Sequence, residues 1–216
     1  IALTCLVLLL VQIFLGAWTS TNYASLACPD FPTCQGSFSP DMDFKNGFSC
    51  EECNSIVAEF SEKCSERSSV FTGDTGSIRK SKVCWLPRTD STKWIYSKFL
   101  EMAKSANEAM FHFDLTTVMD TIQMAVYEEA DGGKYDYHMD LGSNNKYSCR
   151  KITMVCQLSD EGTYTGGNLE IMEKGIVCRE QGCVICLPSF LYHRVTPMLK
   201  GKRYSLVMWV CGPPLR

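Results

Sequence analysis

The sequence predicts an α+β protein in which two helices pack against a jelly-roll (double-stranded β-helix) of short strands. Apolar residues recur at helical spacing only between about residues 50 and 110. From residue 111 onward the apolar period falls to two, and Gly- and Asp-containing turns separate the short runs. Many short strands with regular turns indicate a sandwich or barrel and disfavour a parallel βαβ sheet.

The first 18 residues are nearly all apolar and uncharged, and polar residues follow at 19–22. Their length lies between the core of a signal peptide and a minimal membrane span. We therefore predict a signal peptide or signal-anchor at residues 1–20, with a membrane tether through residues 1–18 as one form of it. Because the chain begins with Ile1, we expect this segment to be truncated. Pro, Gly and Ser residues then predict a linker or irregular arm at 21–47.

The chain has thirteen cysteines, of which twelve lie beyond the apolar segment. Together with that segment, this even number favours the secretory pathway, as an ER-lumenal, membrane-anchored or secreted protein. The pair Cys183/Cys186 also has zinc-like spacing, but three residues apart in a strand the two thiols point to opposite faces. We expect packed thiols or bridges to distant partners instead.

The length and net charge of the chain limit its number of domains and its possible partners. A chain of 216 residues suits one domain, which we place at residues 48–216. The net charge of −3 and the pI of about 5.7 argue against nucleic acid as a partner.

The predicted elements follow in order. Ser49 and Glu52 have the spacing of a capping box and open a helix that runs to about residue 64. A second helix is predicted from about residue 91 to residue 110. Both helices are expected to serve packing. The strands are predicted at residues 81–86, 121–128, 135–141, 151–158, 168–172, 183–187 and 203–210.

Three polar residues of the predicted jelly-roll could hold one metal ion. His138 and Asp140 stand two apart in a predicted strand, so both side chains emerge on one face. A third ligand must come from elsewhere, and His193 is the available candidate. Two imidazoles and one carboxylate leave positions open on an octahedral metal, which suits non-haem Fe(II) because a cosubstrate and O₂ must both bind directly.

Arg203 follows His193 by ten residues and shares a strand face with Ser205. A guanidinium beside a hydroxyl is suited to bind a carboxylate. A buried charge is costly without a partner, so an inward Arg203 implies a bound anion or an internal acid. The alternative is a surface arginine on an edge strand. On the 151–158 strand, Thr153 and Gln157 would face the same pocket.

Several stretches, taken in this order, resemble the iron/2-oxoglutarate dioxygenases of the prolyl 4-hydroxylase type. The resemblance covers roughly residues 111–212. The matching stretches are YDYHMD at 135–140, RKIT at 150–153 through QLSD at 157–160, YTGGNL at 164–169, and PSFLYHRVTP at 188–197 ending in GKRYS at 201–205.

The resemblance implies roles for individual residues. It implies that His138, Asp140 and His193 bind Fe(II), and that Arg203 pairs with the distal carboxylate of 2-oxoglutarate. Help in binding the cosubstrate is expected from three polar neighbours, Ser205, Gln157 and Thr153. Two further positions match substrate-side groups near the pocket, Tyr135 and Arg150. Where this chain has Gln157, some relatives carry Tyr. Collagen-type prolyl hydroxylases place Lys at the position of Arg203, which weakens a specific assignment to collagen.

The function that the resemblance implies is hydroxylation of an amino-acid side chain, in a peptide or as a free amino acid. The reaction would consume O₂, couple to decarboxylation of 2-oxoglutarate to succinate, and use ascorbate to restore oxidised iron. The alternative from another class is a non-catalytic jelly-roll binding module, secreted or tethered to a membrane. The intact set of metal ligands disfavours it, since a binding module has no need of an open iron site.

Overall fold

A computed structural model of the chain describes residues 43–64, 66–67, 78–118, 120–142 and 147–214. The predicted α+β jelly-roll is confirmed, with antiparallel strands and two α-helices in the described part of the chain. The predicted leader at 1–20 lies outside the described residues, as does the predicted arm at 21–47 up to residue 42. The last residues of that arm are a short strand and a turn.

The two helices are α1, Cys50–Phe60, and α2, Lys93–Ala106. The capping box that opens α1 is confirmed, since the Ser49 side chain accepts from the backbone of Glu52 and the Glu52 side chain accepts from the backbone of Ser49. The strands are β1 Asp43–Phe44, β2 Glu66–Arg67, β3 Arg79–Lys80, β4 Lys82–Leu86, β5 Ile122–Glu128, β6 Lys134–His138, β7 Arg150–Gln157, β8 Thr165–Gly166, β9 Leu169–Ile171, β10 Gly175–Ile176, β11 Val184–Pro188, β12 His193–Val195, β13 Met198–Lys200 and β14 Lys202–Cys211.

Two antiparallel sheets form the jelly-roll. The larger has seven strands in the order β1-β11-β7-β14-β5-β4-β2, and the smaller has five in the order β10-β9-β12-β6-β3. Strands β13 and β8 pair separately. Only Ser81 separates β3 from β4, so the chain passes from the smaller sheet to the larger at this residue.

Both faces of the larger sheet are covered, which explains why every residue of β7 is buried. On one face, the thiol of Cys53 in α1 donates to the backbone carbonyl of Gln157 in β7 over 3.9 Å. On the same side, the hydroxyl of Tyr96 in α2 donates to the carbonyl of Leu86 over 2.7 Å and accepts from the backbone N–H of Ile122. The helices therefore pack on the face that alternates away from the second sheet.

The other face of the larger sheet packs against the smaller sheet around an apolar core. Its buried members are Val83, Ala125, Tyr127, Val155, Tyr164, Leu169, Ile171, Val177, Cys183, Ile185, Leu187, Val195 and Met198. This face also carries buried polar groups, Gln123, Thr153, Gln157, Arg203 and Ser205. As predicted, Cys183 and Cys186 point to opposite faces, because Cys183 belongs to this core and Cys186 lies opposite Met154. Buried polar side chains in an otherwise apolar interior indicate a candidate functional site between the two sheets.

Several element boundaries differ from the prediction. The strand predicted at 135–141 ends at His138, so Asp140 lies beyond it. The helix predicted to reach residue 110 is α-helical only to Ala106. Strands β3 and β12 were not predicted; they are two and three residues long, too short for a period-two pattern to show.

The segments Met42–Ser105 and Phe113–Arg216 together form one compact unit. Residues Ala106–His112 belong to a second unit and contain a π-helical turn, Asn107–Phe111, which ends at His112 in the left-handed region. Among the described residues, no helix is both long enough and apolar enough to cross a membrane.

Candidate metal centre

Two neighbouring strands of the smaller sheet bring the histidines together. His138 ends β6, and His193 begins β12 directly opposite it in the antiparallel register. The two ring centroids are 4.3 Å apart. Side chains of directly opposed residues stand on the same face of a sheet, so both imidazoles point into the space between the sheets.

Asp140 joins them from the turn after β6. The backbone N–H groups of Asp140 and Leu141 both donate to the carbonyl of Ser189, over 3.0 and 2.8 Å. This places one carboxylate oxygen 3.8 Å from Nε2 of His138 and the other 3.5 Å from Nε2 of His193. The predicted ligand set is thus assembled, but by a turn held to Ser189 and not by strand alternation.

Both imidazoles are oriented by their other nitrogen. Nδ1 of His138 lies 2.9 Å from the carbonyl of Asp136, and Nδ1 of His193 lies 2.9 Å from the carbonyl of Leu191. A carbonyl oxygen can only accept, so Nδ1 carries the proton in each ring and Nε2 keeps its lone pair. One ligand atom from each of the two histidines and Asp140 lies within 4.8 Å of the others. The donor set fits a divalent cation with open coordination positions.

The pKa values of His138 and Asp140 also favour the binding of a cation. Burial, followed by the charge of His193, lowers the pKa of His138 to about 4, so its imidazole is neutral near pH 7. Burial raises the pKa of the Asp140 carboxyl, but the opposing effects of His193, His138, Trp209 and Arg150 together bring it below its usual range. Metal ligands must be deprotonated, and His138 and Asp140 already are at neutral pH.

A second hydrogen bond fixes the carboxylate. The hydroxyl of Thr153, fully buried on β7, donates to Oδ2 of Asp140 over 2.9 Å and lies 2.9 Å from the hydroxyl of Ser189. Thr153 therefore touches the ligand Asp140 itself and is absent from the pocket lining. Hydrogen bonds of this kind to metal ligands restrict their rotation.

Arg203 lies on β14 and is only 1% exposed. Its Nε and Nη2 groups donate to Oε1 of Gln157 over 3.1 and 2.7 Å, while the Gln157 amide nitrogen donates to the carbonyl of Cys178. Nη1 of Arg203 is buried with no acceptor among the described residues. No carboxylate of the described residues forms an ion pair with this guanidinium, so an internal acid is not its partner there.

One pocket contains the predicted metal ligands together with Arg203 and Ser205. It is lined by Arg79, Gln123, Tyr127, Tyr135, His138, Asp140, Val155, Leu169, His193, Val195, Arg203, Ser205 and Val207. Tyr135, predicted on the substrate side, stacks on the ring of His138 with centroids 3.5 Å apart. Burial raises the pKa of Tyr135 to about 12, so its hydroxyl stays protonated.

Arg150, the other predicted substrate-side residue, is placed differently. Its guanidinium donates to Oδ2 of Asp120 over 2.6 Å and stacks over the ring of Trp209. It approaches the metal ligands only through a long contact of 3.5 Å with the backbone carbonyl of Asp140. Arg150 therefore lies beside the turn of Asp140 and outside the pocket lining.

The family comparison agrees with this geometry. The profile of the 2OG-Fe(II) oxygenase superfamily matches residues 122–211, which contain the predicted metal ligands and Arg203. These residues, fewer than half of the chain, are similar to a 2OG-Fe(II) oxygenase domain. The similarity to this superfamily implies Fe(II), 2-oxoglutarate and O₂ as the cofactors of the oxygenase domain.

Bacterial relatives match the same part of the chain. A PKHD-type hydroxylase of Synechococcus sp. (strain CC9605) is 35% identical over 91 residues, which are 40% of this chain and 40% of the relative. A PKHD-type hydroxylase of Teredinibacter turnerae is 36% identical over 87 residues, which are 37% of this chain and 38% of the relative. The oxygenase domain thus matches well under half of the length of these curated relatives.

Solved structures support the fold of the oxygenase domain. A prolyl-4-hydroxylase of Pseudomonas putida matches with a TM-score of 0.62 and 18% identity, over 78% of this chain and 90% of that one. A prolyl hydroxylase from Trichoplax adhaerens, in complex with a peptide fragment of the hypoxia inducible factor oxygen degradation domain, gives a TM-score of 0.63 and 17% identity, over 78% and 82%. At these identities the likeness concerns the fold.

The predicted secretory location is wrong. The relatives of the oxygenase domain are PKHD-type hydroxylases of bacteria, including cyanobacteria, which have no ER lumen. The apolar N-terminal segment, which led to that prediction, falls within a match of residues 1–59 to the profile of a cytochrome oxidase assembly protein. The chain is also 45% identical to the heme A synthase of Shewanella oneidensis over 49 residues, which are 23% of this chain and 15% of the relative. An apolar run alone does not distinguish a targeting signal from a segment of another protein family.

Sequence reasoning missed one charged residue of the pocket. Arg79 stands in the basic run 79–82, and such runs usually lie on solvated surface, yet Arg79 lines the pocket together with Gln123 and Tyr135. No sequence signal identified it, because β3 is only two residues long. Gln123 and Tyr127 could have been found, since period-two alternation along β5 places both on the inward face.

Proposed function

We propose that this chain is an Fe(II)- and 2-oxoglutarate-dependent dioxygenase that hydroxylates an amino-acid side chain. One observation carries the proposal: the pocket that receives Nε2 of both histidines and the Asp140 carboxylate also holds the buried guanidinium of Arg203 with an N–H group that has no acceptor among the described residues. The names of the relatives, PKHD-type and prolyl hydroxylases, support hydroxylation of a residue as the reaction class.

Each residue of the site would have a separate role in binding. His138, His193 and Asp140 would hold Fe(II), with Thr153 keeping the carboxylate in place. Arg203, oriented by Gln157, would bind the distal carboxylate of 2-oxoglutarate, because a buried guanidinium gains most from a charged acceptor. A third inward group on this wall is Ser205, whose hydroxyl lines the pocket near the guanidinium.

When bound, iron supplies the oxidative chemistry by which O₂ and 2-oxoglutarate are consumed and a hydroxyl group is delivered to a C–H bond. The protein positions both organic substrates and excludes bulk water. Burial of His193 and Asp140 serves the second task, since only 5% and 10% of their side chains are exposed. Ascorbate would restore oxidised iron between turnovers.

The test is succinate release by the purified chain supplied with Fe(II), 2-oxoglutarate, ascorbate and O₂, with and without a peptide library. We expect iron-dependent succinate that His193→Ala abolishes. His112→Ala is the matched control, because His112 is exposed and lies outside the pocket lining. It should retain wild-type turnover.

Iron content and thermal unfolding are measured alongside. A folded His193→Ala protein that binds no iron and releases no succinate supports the proposal. A wild-type protein that neither releases succinate nor binds iron in an anaerobic titration contradicts it, and would leave the non-catalytic binding module as the explanation for the jelly-roll.

A further inference from the structure

Arg79 is a second guanidinium in the pocket. Its Nε donates to the hydroxyl of Ser81 over 2.9 Å, and its Nη2 donates to Oε1 of Gln123 over 2.9 Å. Gln123 is itself only 6% exposed. Both acceptors are neutral, and no carboxylate of the described residues forms an ion pair with Arg79. The guanidinium is therefore held in a fixed direction without its charge being neutralised.

Its place in the fold directs it toward the metal ligands. Arg79 lies opposite Tyr135 in the pairing of β3 with β6, and its guanidinium carbon is 4.7 Å from the centre of that ring. Tyr135 also stacks on His138, with ring centroids 3.5 Å apart. The Tyr135 ring thus contacts both the guanidinium of Arg79 and a proposed iron ligand.

Arg79 and Arg203 serve different parts of the pocket. Arg79 is bonded to Gln123, whereas Arg203 lies over the ring of Tyr127, 5.6 Å from its centre. Gln123 and Tyr127 are four residues apart on β5, which corresponds to about 13 Å along the strand. The carboxyl carbons of a five-carbon diacid are only about 5 Å apart. Arg203 and Arg79 therefore face positions of β5 that are further apart than the two carboxyl carbons of one 2-oxoglutarate molecule.

The net charge of the pocket also favours the binding of a second anion. Its lining contains two arginines and one carboxylate, Asp140. A dication and the dianion 2-oxoglutarate cancel each other, and Asp140 balances one arginine. We assign the remaining positive charge to Arg79, because both of its hydrogen-bond acceptors, Ser81 and Gln123, are neutral. A second anion bound there would be favoured.

We propose that Arg79, oriented by Gln123, binds a carboxylate of the substrate that is to be hydroxylated. This inference rests on the proposed function and adds a substrate class to it. The substrate is an acidic one: either a peptide with Asp or Glu near the modified residue, or a free amino acid bound through its own carboxylate.

Binding without turnover tests this directly. The full chain is loaded with Mn(II) and 2-oxoglutarate under anaerobic conditions. It is then titrated with amidated peptides in Glu/Gln and Asp/Asn pairs, and with free amino acids paired with their amides. We expect the acidic member of a pair to bind roughly 10-fold more tightly or better, since an arginine–carboxylate pair adds charge-assisted hydrogen bonds. The peptide and amino-acid arms distinguish the two sources of the carboxylate.

Arg79→Met should remove that preference, and Arg79→Lys should retain part of it. Lys80→Met is the matched control, because Lys80 is the exposed neighbour on the opposite face of β3. A preference that survives Arg79→Met, or a wild-type protein that binds acidic and amide members equally or binds neither, overturns the inference. A structural role for Arg79 would weaken both members of a pair alike. Succinate release with Fe(II) decides the proposed function separately.

Discussion

The hydroxyl of Thr153 donates a 2.9 Å hydrogen bond to Oδ2 of Asp140, the same carboxylate oxygen that lies 3.5 Å from Nε2 of His193. The two residues are 13 positions apart in sequence and lie on different elements, β7 and the turn after β6. Because Asp140 is outside regular secondary structure, this bond and the two backbone bonds to Ser189 determine where its carboxylate points.

Thr153→Val should therefore weaken metal binding while the protein stays folded. Valine has the shape of threonine but no hydroxyl group. The carboxylate of Asp140 would lose this hydrogen bond and could rotate. Loss of such a hydrogen bond to a ligand typically costs roughly 10- to 100-fold in metal affinity. Anaerobic titration with Fe(II) measures the change. Thr116→Val, which removes a hydroxyl bonded to the carbonyl of Cys211, is the control and should leave metal affinity unchanged. Equal affinities in Thr153→Val and wild type would show that Ser189 alone holds Asp140.

Arg203→Lys should weaken 2-oxoglutarate binding by roughly 10- to 100-fold, the cost of one or two charge-assisted hydrogen bonds. Lysine keeps the positive charge but has no planar fork that can bind Gln157 and a carboxylate together. Calorimetric titration of the Mn(II)-loaded protein with 2-oxoglutarate measures the effect. Lys200→Met, at an exposed position of β13, is the control. An unchanged affinity in Arg203→Lys would remove Arg203 from the cosubstrate site.

The sequence indicates which residues could hold a metal ion but not how they are arranged. His138, Asp140, His193 and Arg203 were identified by residue type and spacing, and all four line one pocket. The alternation argument placed Asp140 on the same strand as His138, whereas the strand ends at His138. The bonds that place Asp140 come from Ser189, almost fifty residues away, and no local pattern encodes a contact of that range.

The roles of Gln157 and Arg79 were beyond the sequence for different reasons. An amide can both donate and accept, so only the structure shows that Gln157 accepts from Arg203 and donates to Cys178. Arg79 could not be distinguished from its basic neighbours in the sequence. Its inward direction depends on the pairing of the two-residue strand β3 with β6. Short strands form because of tertiary contacts, and their own residues carry little signal.

Gly182→Ala should destabilise the protein far more than Gly132→Ala. Both glycines have positive φ, 81° and 57°, so an alanine is strained at either position. At Gly182 an added Cβ would also lie 1.9 Å from the carbonyl oxygen of Phe48, whereas at Gly132 it would meet no atom within 4 Å. We expect a loss of about 1 kcal/mol at Gly132 and more than about 4 kcal/mol at Gly182.

Urea unfolding of both glycine variants provides the comparison. The Gly182 variant must shift the packing of Phe48, whose ring contacts α2 through Phe99. Similar losses of stability in the two variants would show that the segment around Phe48 moves freely, and that the contact between Gly182 and Phe48 is not constrained.

The hydrogen bonds of the Glu128 carboxylate with two lysines make the free energy of unfolding depend on pH under acidic conditions. One oxygen of its carboxylate is 2.8 Å from Nζ of Lys202 and the other bonds Lys82, so it joins β14, β5 and β4. Hydrogen bonds from Lys202 and then Lys82 hold the pKa of Glu128 below its usual value of about 4.3. A lowered folded-state pKa contributes stability above the unfolded-state pKa, and that stability is lost as the pH falls through the folded-state pKa.

Glu128→Gln should therefore cost roughly 1 kcal/mol near pH 7, a modest amount because both lysines are partly exposed to solvent. The difference from wild type should shrink as the pH falls below the unfolded-state pKa and disappear below the lowered folded-state pKa, where the wild-type carboxylate is also neutral. Urea unfolding at a series of pH values measures the difference, and Glu101→Gln, at an exposed position of α2, is the control. A difference that stays constant down to acidic pH would mean that Glu128 stabilises the sheet through packing, because a contribution from its charge must disappear on protonation.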